Sequence, residues 1–299
     1  MRIFLTGATG FIGTALIPEL IANGHQVLGM TRSDEGAKAL AAAGAEVHKG
    51  TLEDVDSLRA GAAKADGVIH CAFDHNFANF VANCEKDHRA IAALADALVG
   101  TDRPLVITSG AGTGAPGPGQ LATEDVFNRD FPHPRKMTEL AGEEAAARGV
   151  NVSVVRLPQV HDPYKQGLIS YLIPLVREKG VSAFVGDGSN SWSAAHVSDV
   201  ARLYRLVVER AEPNSRYHAV AEEGVSMREI AEVLGEGMNL PVKSIAPEQA
   251  QEHFGWLAMF ANLSMPASSA LTRKWLDWEP TGPTLIEDLK LAKYEGGRG

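Results

Sequence analysis

Three glycines in Thr6-Gly7-Ala8-Thr9-Gly10-Phe11-Ile12-Gly13 stand at the spacing of a loop that turns a strand sharply into a helix. Gly7 permits the turn, Gly10 lets backbone close on an anion at the helix N-terminus, and Gly13 lets the helix lie tight on its strand. The chemistry is pyrophosphate binding, so Gly7, Thr9, Gly10, Phe11, Ile12 and Gly13 are the expected contacts of a dinucleotide. The next apolar run ends Gly29-Met30-Thr31-Arg32-Ser33, where an acidic side chain would bond the ribose hydroxyls of NAD. Here the charge offered is positive. A guanidinium with the Ser33 hydroxyl beside it suits a 2′-phosphate, so NADP(H) is the expected cofactor. NAD(H) stays as the alternative, because Asp34 and Glu35 follow directly.

A second cluster is Phe131-Pro132-His133-Pro134-Arg135-Lys136. The prolines fix the backbone and hold His133 extended. Arg135 keeps its proton up to a pKa above about 12 and would act electrostatically, on a developing alkoxide. His133, with an unperturbed pKa near about 6.5, is the candidate proton donor, and His161 is expected to reach the same space. The alternative for all of them is a solvated, proline-rich turn.

These groups need a scaffold, and the hydropathy pattern supplies one. Short apolar runs at 2–6, 26–31, 46–48, 67–72, 105–109 and 152–157 alternate with helical patterns at 11–23, 34–43, 54–63, 77–99 and 136–148. Repeated strand and helix of this kind predicts an α/β fold with a parallel sheet covered on both faces. The Gly/Pro-rich stretch 110–119 then falls at the sheet's C-terminal edge, where such sheets bind ligands. From residue 158 the rhythm changes to helices near 166–179, 197–210, 226–235 and 247–261, with strands near 183–185 and 217–220. The expected division is 1–157 for the nucleotide-binding core and 158–299 for a smaller mixed lobe, with some segments returning to the core.

Composition narrows the partners. The chain of 299 residues is 45% hydrophobic and 22% charged, which excludes a disordered chain. With 28 basic against 37 acidic residues the net charge is −9, and no basic block offers a surface to nucleic acid or an anionic membrane. The expected partner is a small molecule. The two cysteines form neither a disulfide framework nor a zinc motif, so no metal is expected. No apolar run reaches the roughly 18 residues of a spanning helix, and the first strand leaves no room for a leader, so a cytoplasmic location is expected.

The glycine loop, Ile69-His70-Cys71-Ala72, Ile107-Thr108-Ser109, Arg156-Leu157-Pro158-Gln159-Val160-His161, Val197-Ser198-Asp199-Val200 and the late run 270–280 together resemble the extended short-chain dehydrogenase/reductase superfamily. The resemblance implies a Rossmann doubly wound sheet with a C-terminal substrate lobe. It extends the implied cofactor contacts to Thr51, Leu52, Cys71, Ala72, Phe73, Ser109 and Pro158, with Cys71 a small packed residue rather than a nucleophile. It places Asp74, His75, Gly110 and Trp192 toward substrate. A homodimer follows by analogy only.

The resemblance also implies a Tyr-x-x-x-Lys pair and a serine, which this chain lacks. Tyr164, Tyr171, Tyr204, Tyr217 and Tyr294 are followed four residues on by Leu168, Leu175, Val208, Ala221 and Arg298. Setting Glu143 on the glutamate that follows the family lysine puts Arg135 at the tyrosine position, Glu139 at the lysine position and Gly110 at the serine position. Trp192 falls where relatives acting on nucleotide sugars carry an arginine, and an indole has no second donor for a diphosphate. The expected activity is an NADP(H)-dependent oxidoreductase on a small carbonyl or alcohol, using Arg135 with His133 or His161. The alternatives are a redox-sensing regulator that binds the dinucleotide without turnover, as NmrA-like relatives do, and an epimerase or dehydratase.

Overall fold

The structure, a computed structural model, describes residues 1–294. Along the chain run β1 (Arg2–Thr6), α1 (Phe11–Ala22), β2 (Gln26–Thr31), α2 (Asp34–Ala42), β3 (Glu46–Lys49), α3 (Val55–Ala63), β4 (Gly67–His70), α4 (Phe80–Asp96), β5 (Pro104–Gly110), α5 (Met137–Ala147) and β6 (Asn151–Leu157). The second part adds β7 (Gln159–His161), α6 (Ile169–Lys179), β8 (Ser182–Val185), β9 (Ser191–His196), α7 (Val197–Arg210), β10 (Ser215–His218), β11 (Glu222–Ser226), α8 (Met227–Met238), β12 (Val242–Ile245), α9 (Ala250–Phe254), α10 (Ala258–Ala261), α11 (Ala270–Leu276) and α12 (Leu285–Leu291).

Seven parallel strands form one sheet in the order β10-β6-β5-β4-β1-β2-β3. Its cores follow from the two-residue period of a strand. Ile3 and Leu5 of β1 face one layer, with Leu16 of α1 and Val200, Leu203 and Val207 of α7. Phe4 faces the other, with Leu58 of α3, Leu94 of α4 and Ala141 of α5. Strand order reverses between β1 and β4, so a crevice opens at their C-terminal ends, where doubly wound sheets take their ligands.

The smaller unit has a three-stranded sheet, β11-β9-β7, and the parallel pair β12-β8, around Trp192, Phe184, Ile230, Leu234 and Leu289. Two elements beyond residue 157 return to the core. α7 packs on the sheet through Val200 and Tyr204, and β10 extends the sheet beside β6. The helix expected at 247–261 is interrupted, because Gly255 takes φ +56° and breaks it into α9, a 3-10 turn and α10. Among the described residues no helix is long and apolar enough to cross a membrane.

Candidate functional site

The glycine loop leaves β1 at Thr6 and opens α1. Gly7 adopts φ +68°, and a Cβ there would meet the Ala72 nitrogen at 2.7 Å, so the loop sits directly on the Cys71-Ala72 backbone after β4. At Gly13 a Cβ would lie 2.2 Å from the Gly7 carbonyl oxygen. Gly10 caps α1 without any side-chain bond, and the first bond back to it is from the Thr14 N–H, at 2.9 Å. The N–H groups of Phe11, Ile12 and Gly13 are therefore unpaired by the helix and suited to an anion. Beside them a cavity of about 360 Å³ is lined by Thr9 and Thr14 with Ser33, Glu35 and Gly36 at the start of α2. These residues fit a dinucleotide phosphate.

Arg32 is exposed at the end of β2. Its acidic neighbour Asp34 is taken by Lys49, whose Nζ donates to Oδ1 at 2.7 Å and to the Ser33 carbonyl at 2.8 Å. The Lys49 hydrogen bond and charge hold the Asp34 carboxyl below its ordinary pKa. Ser33 also caps α2, its Oγ accepting from the Gly36 N–H at 3.0 Å. Thr51 accepts from the Asp54 N–H at 3.3 Å, and Leu52 packs against the core below β3.

A buried polar chain runs from the glycine loop to the basic turn. Thr6 Oγ1 and His70 Nδ1 are 2.7 Å apart, His70 Nε2 and Asp87 Oδ1 3.1 Å, and Arg135 Nη1 donates to Asp87 Oδ2 at 2.7 Å. Arg135 also donates to Thr138 Oγ1 and to the Thr108 carbonyl, and its Cζ lies 3.8 Å from the centre of the Phe73 ring. Burial raises the Asp87 carboxyl, but the Arg135 charge and the His70 and Thr138 bonds outweigh it and hold it at about 2. Glu139 is also buried and grips Arg156 with both oxygens, at 2.8 Å each, with Arg216 at 2.9 Å. The two positions that the resemblance assigns to tyrosine and lysine are thus both built into ion pairs.

His133 Nδ1 accepts the Arg135 backbone N–H at 3.3 Å, so the neutral ring carries its proton on Nε2. Phe80, Phe131 and Phe260 surround it with ring centres 5.0, 6.1 and 6.3 Å away. Burial first, and then the Arg135 charge, lowers its pKa. Burial likewise pushes the Cys71 thiol up to about 11, leaving it no nucleophilic character near neutrality. Tyr204 lies in the core, its OH 2.6 Å from Thr108 Oγ1, with its pKa raised well above the ordinary value by burial.

Next to this turn is a cavity of about 420 Å³ between the sheet edge and the lobe. His133, Arg135, Gly110, Pro158 and Trp192 all line it, which unites five of the residues expected from sequence. A Cβ at Gly110 would meet nothing within 4 Å. Three expectations are corrected. His161 is fully buried away from the cavity, its Nδ1 2.6 Å from Asp288 Oδ2, because β7 turns it toward α12. Asp74 does not line the cavity either; its Oδ2 accepts from Lys86 Nζ at 2.9 Å. His75 is exposed beside it, edge-on to Phe73. Ser109 is buried with its Oγ unpartnered among the described residues.

Residues 3–220 match the model of the NAD dependent epimerase/dehydratase family. An uncharacterised protein of Schizosaccharomyces pombe is 43% identical over 98% of this chain and 100% of its own. A 4-hydroxy-2-methyl-3-oxo-4-farnesyl-3,4-dihydroquinoline-1-oxide ketoreductase of Stigmatella aurantiaca is 28% identical over 89% of this chain and 84% of its own. The fold is shared with a human epimerase family protein solved with NADPH, at TM-score 0.73 and 21% identity over 97% and 98% of the two chains. It is shared equally with dTDP-glucose 4,6-dehydratase of Streptomyces venezuelae solved with NAD, at TM-score 0.76 and 18% identity over 97% and 96%.

Proposed function

Because the chain belongs to the NAD dependent epimerase/dehydratase family, we propose that it is an NADP(H)-dependent oxidoreductase acting on a small carbonyl or alcohol. The observation that carries this reading is the Arg135 guanidinium on the wall of a largely apolar cavity beside the dinucleotide crevice. Bound in that crevice, a nicotinamide dinucleotide would supply or accept the hydride. Phe11, Ile12 and Gly13 would hold its pyrophosphate through backbone N–H groups. Arg32, with Asp34 neutralised by Lys49, would take the 2′-phosphate, as the NADPH of the human structural relative makes chemically reasonable.

Of the five guanidinium donors, Asp87, Thr138 and Thr108 occupy three. The Nε–H and one Nη2–H are left for a substrate oxygen. His133 adds a donor through Nε2–H, in the neutral form that its occupied Nδ1 enforces. Two preorganised donors in a site of low dielectric are what a developing oxyanion needs, and neither has to lose a proton. The test is NADPH oxidation by the purified protein across small ketones and aldehydes. The expected result is turnover with loss of the carbonyl; tight NADPH binding without turnover across the panel would instead give the chain to the regulators.

A further inference from the structure

We propose that the cavity takes an uncharged, apolar carbonyl compound gripped at its one polar end, and rejects phosphorylated or carboxylated substrates. This rests on the oxidoreductase reading of the same site and names its substrate class. The lining is divided by chemistry. Among the described residues Arg135 and His133 are the only ionisable side chains on the wall; its other polar groups, Gln120, Asn128 and Gln159 among them, are uncharged. The lobe contributes Trp192, Met259, Phe260, Leu263 and Met265, which offer no charge at all.

Charge accounting decides what enters. The Arg135 charge is already answered by Asp87, so an anionic substrate would be desolvated without a free counter-ion. The Trp192 Nε1–H is spent on the Leu263 carbonyl at 3.2 Å, which turns an apolar indole face to the cavity rather than a donor. A volume of about 420 Å³ suits a drug-sized organic molecule. The entrance has the same character. Met259 is 61% exposed and Trp256 45%, and Trp256 stacks on Phe77 at 4.7 Å, joining the lobe to the segment after β4. Exposed apolar groups gathered at the mouth of an apolar cavity mark a binding surface.

In the reduction the carbonyl carbon gains a hydride, the C–O π pair moves onto oxygen, and that oxygen, held by the Arg135 and His133 donors, takes a proton from solvent. A reduced nicotinamide dinucleotide held in the crevice would supply the two electrons that balance this step.

Calorimetric titration of the NADP⁺-saturated protein with a series of 2-alkanones, the matching oxo-carboxylates and UDP-glucose reads the proposal without turnover. Each added methylene is expected to tighten alkanone binding about fourfold until the cavity is full. The oxo-carboxylates should bind at least tenfold more weakly, and UDP-glucose not at all. Met259→Asp, at an exposed position that tolerates the charge in the fold, should weaken the longer alkanones about tenfold. Affinity independent of chain length, or tighter binding of the anions, overturns the proposal. Turnover of NADPH with charged carbonyls alone would overturn it while leaving the oxidoreductase reading intact, whereas length-dependent binding without any turnover would uphold it and remove that reading.

Discussion

Arg135 and Asp87, 48 positions apart in the chain, meet at 2.7 Å between Nη1 and Oδ2, and the same carboxylate is bonded through its other oxygen to His70. One buried acid thus fixes the Arg135 cation of the cavity wall and ties it, through His70 and Thr6, to the strand that carries the glycine loop.

Asp87→Asn tests this pair. Asp87 is 1% exposed, so the substitution leaves a largely buried guanidinium unbalanced, at an expected cost of about 3 kcal/mol in chemical denaturation. The native carboxyl titrates at about 2 against 3.8 unfolded. Its folded pKa is depressed, so its contribution is complete above about pH 4 and is lost as pH falls toward 2, about 2 kcal/mol in all. Asp87→Asn should lack that part of the acid limb. An acid limb identical to the native one would contradict the pairing.

The glycines of the loop should separate by function. Gly10 has only the Gly7 oxygen at 3.1 Å near a built Cβ, so Gly10→Val should fold and lose dinucleotide binding. Gly13→Ala puts its Cβ 2.2 Å from the same oxygen and should distort the loop itself, lowering Tm as well. Circular dichroism melts with calorimetric cofactor titration distinguish the two, and undiminished binding by Gly10→Val would make the loop purely structural.

Arg32→Ala bears on cofactor choice. Loss of a charge-assisted contact to a 2′-phosphate should weaken NADPH by about 1.5–3 kcal/mol and leave NADH nearly unchanged. Equal dissociation constants for the two cofactors in the native protein would remove the assignment.

The glycine loop was legible because its message is local: three glycines, a strand before and a helix after. The Arg135–Asp87 pair was not, since nothing in Pro132-His133-Pro134-Arg135 names a partner on α4. A signal existed in the helix itself. Cys84, Asp87, Ala90, Ile91 and Leu94 share its buried face, and an acid on that stripe demands a cation. Glu139 on the buried face of α5 carries the same message, and Arg156 in the apolar run of β6 answers it. His161 misled because the short strand β7 went unread, and its pleat decides which way the imidazole points. Trp192 was expected toward substrate and lines the cavity, but its bond to Leu263 comes from a loop far along the chain and could not be read from its neighbours.

His133 should act as a hydrogen-bond donor rather than as an ordinary imidazolium acid. His133→Gln, which keeps an N–H, should retain most of kcat, while His133→Phe should lose about 10²-fold. With its pKa lowered by burial and Arg135, the native kcat/KM profile should show no inflection at 6.5, and any His133 inflection should lie below it. Equal loss in both variants, or an inflection at 6.5 abolished by His133→Gln, would contradict this role.

The most direct measurement is kcat/KM for NADPH-dependent carbonyl reduction by the native protein and by Arg135→Met, with the NADPH dissociation constant determined for each. The expected result is a loss of roughly 10²-fold or more in kcat/KM at nearly unchanged cofactor affinity, the scale of removing one preorganised donor. Native-like turnover by a folded Arg135→Met protein would contradict the assignment of Arg135 to the substrate oxygen.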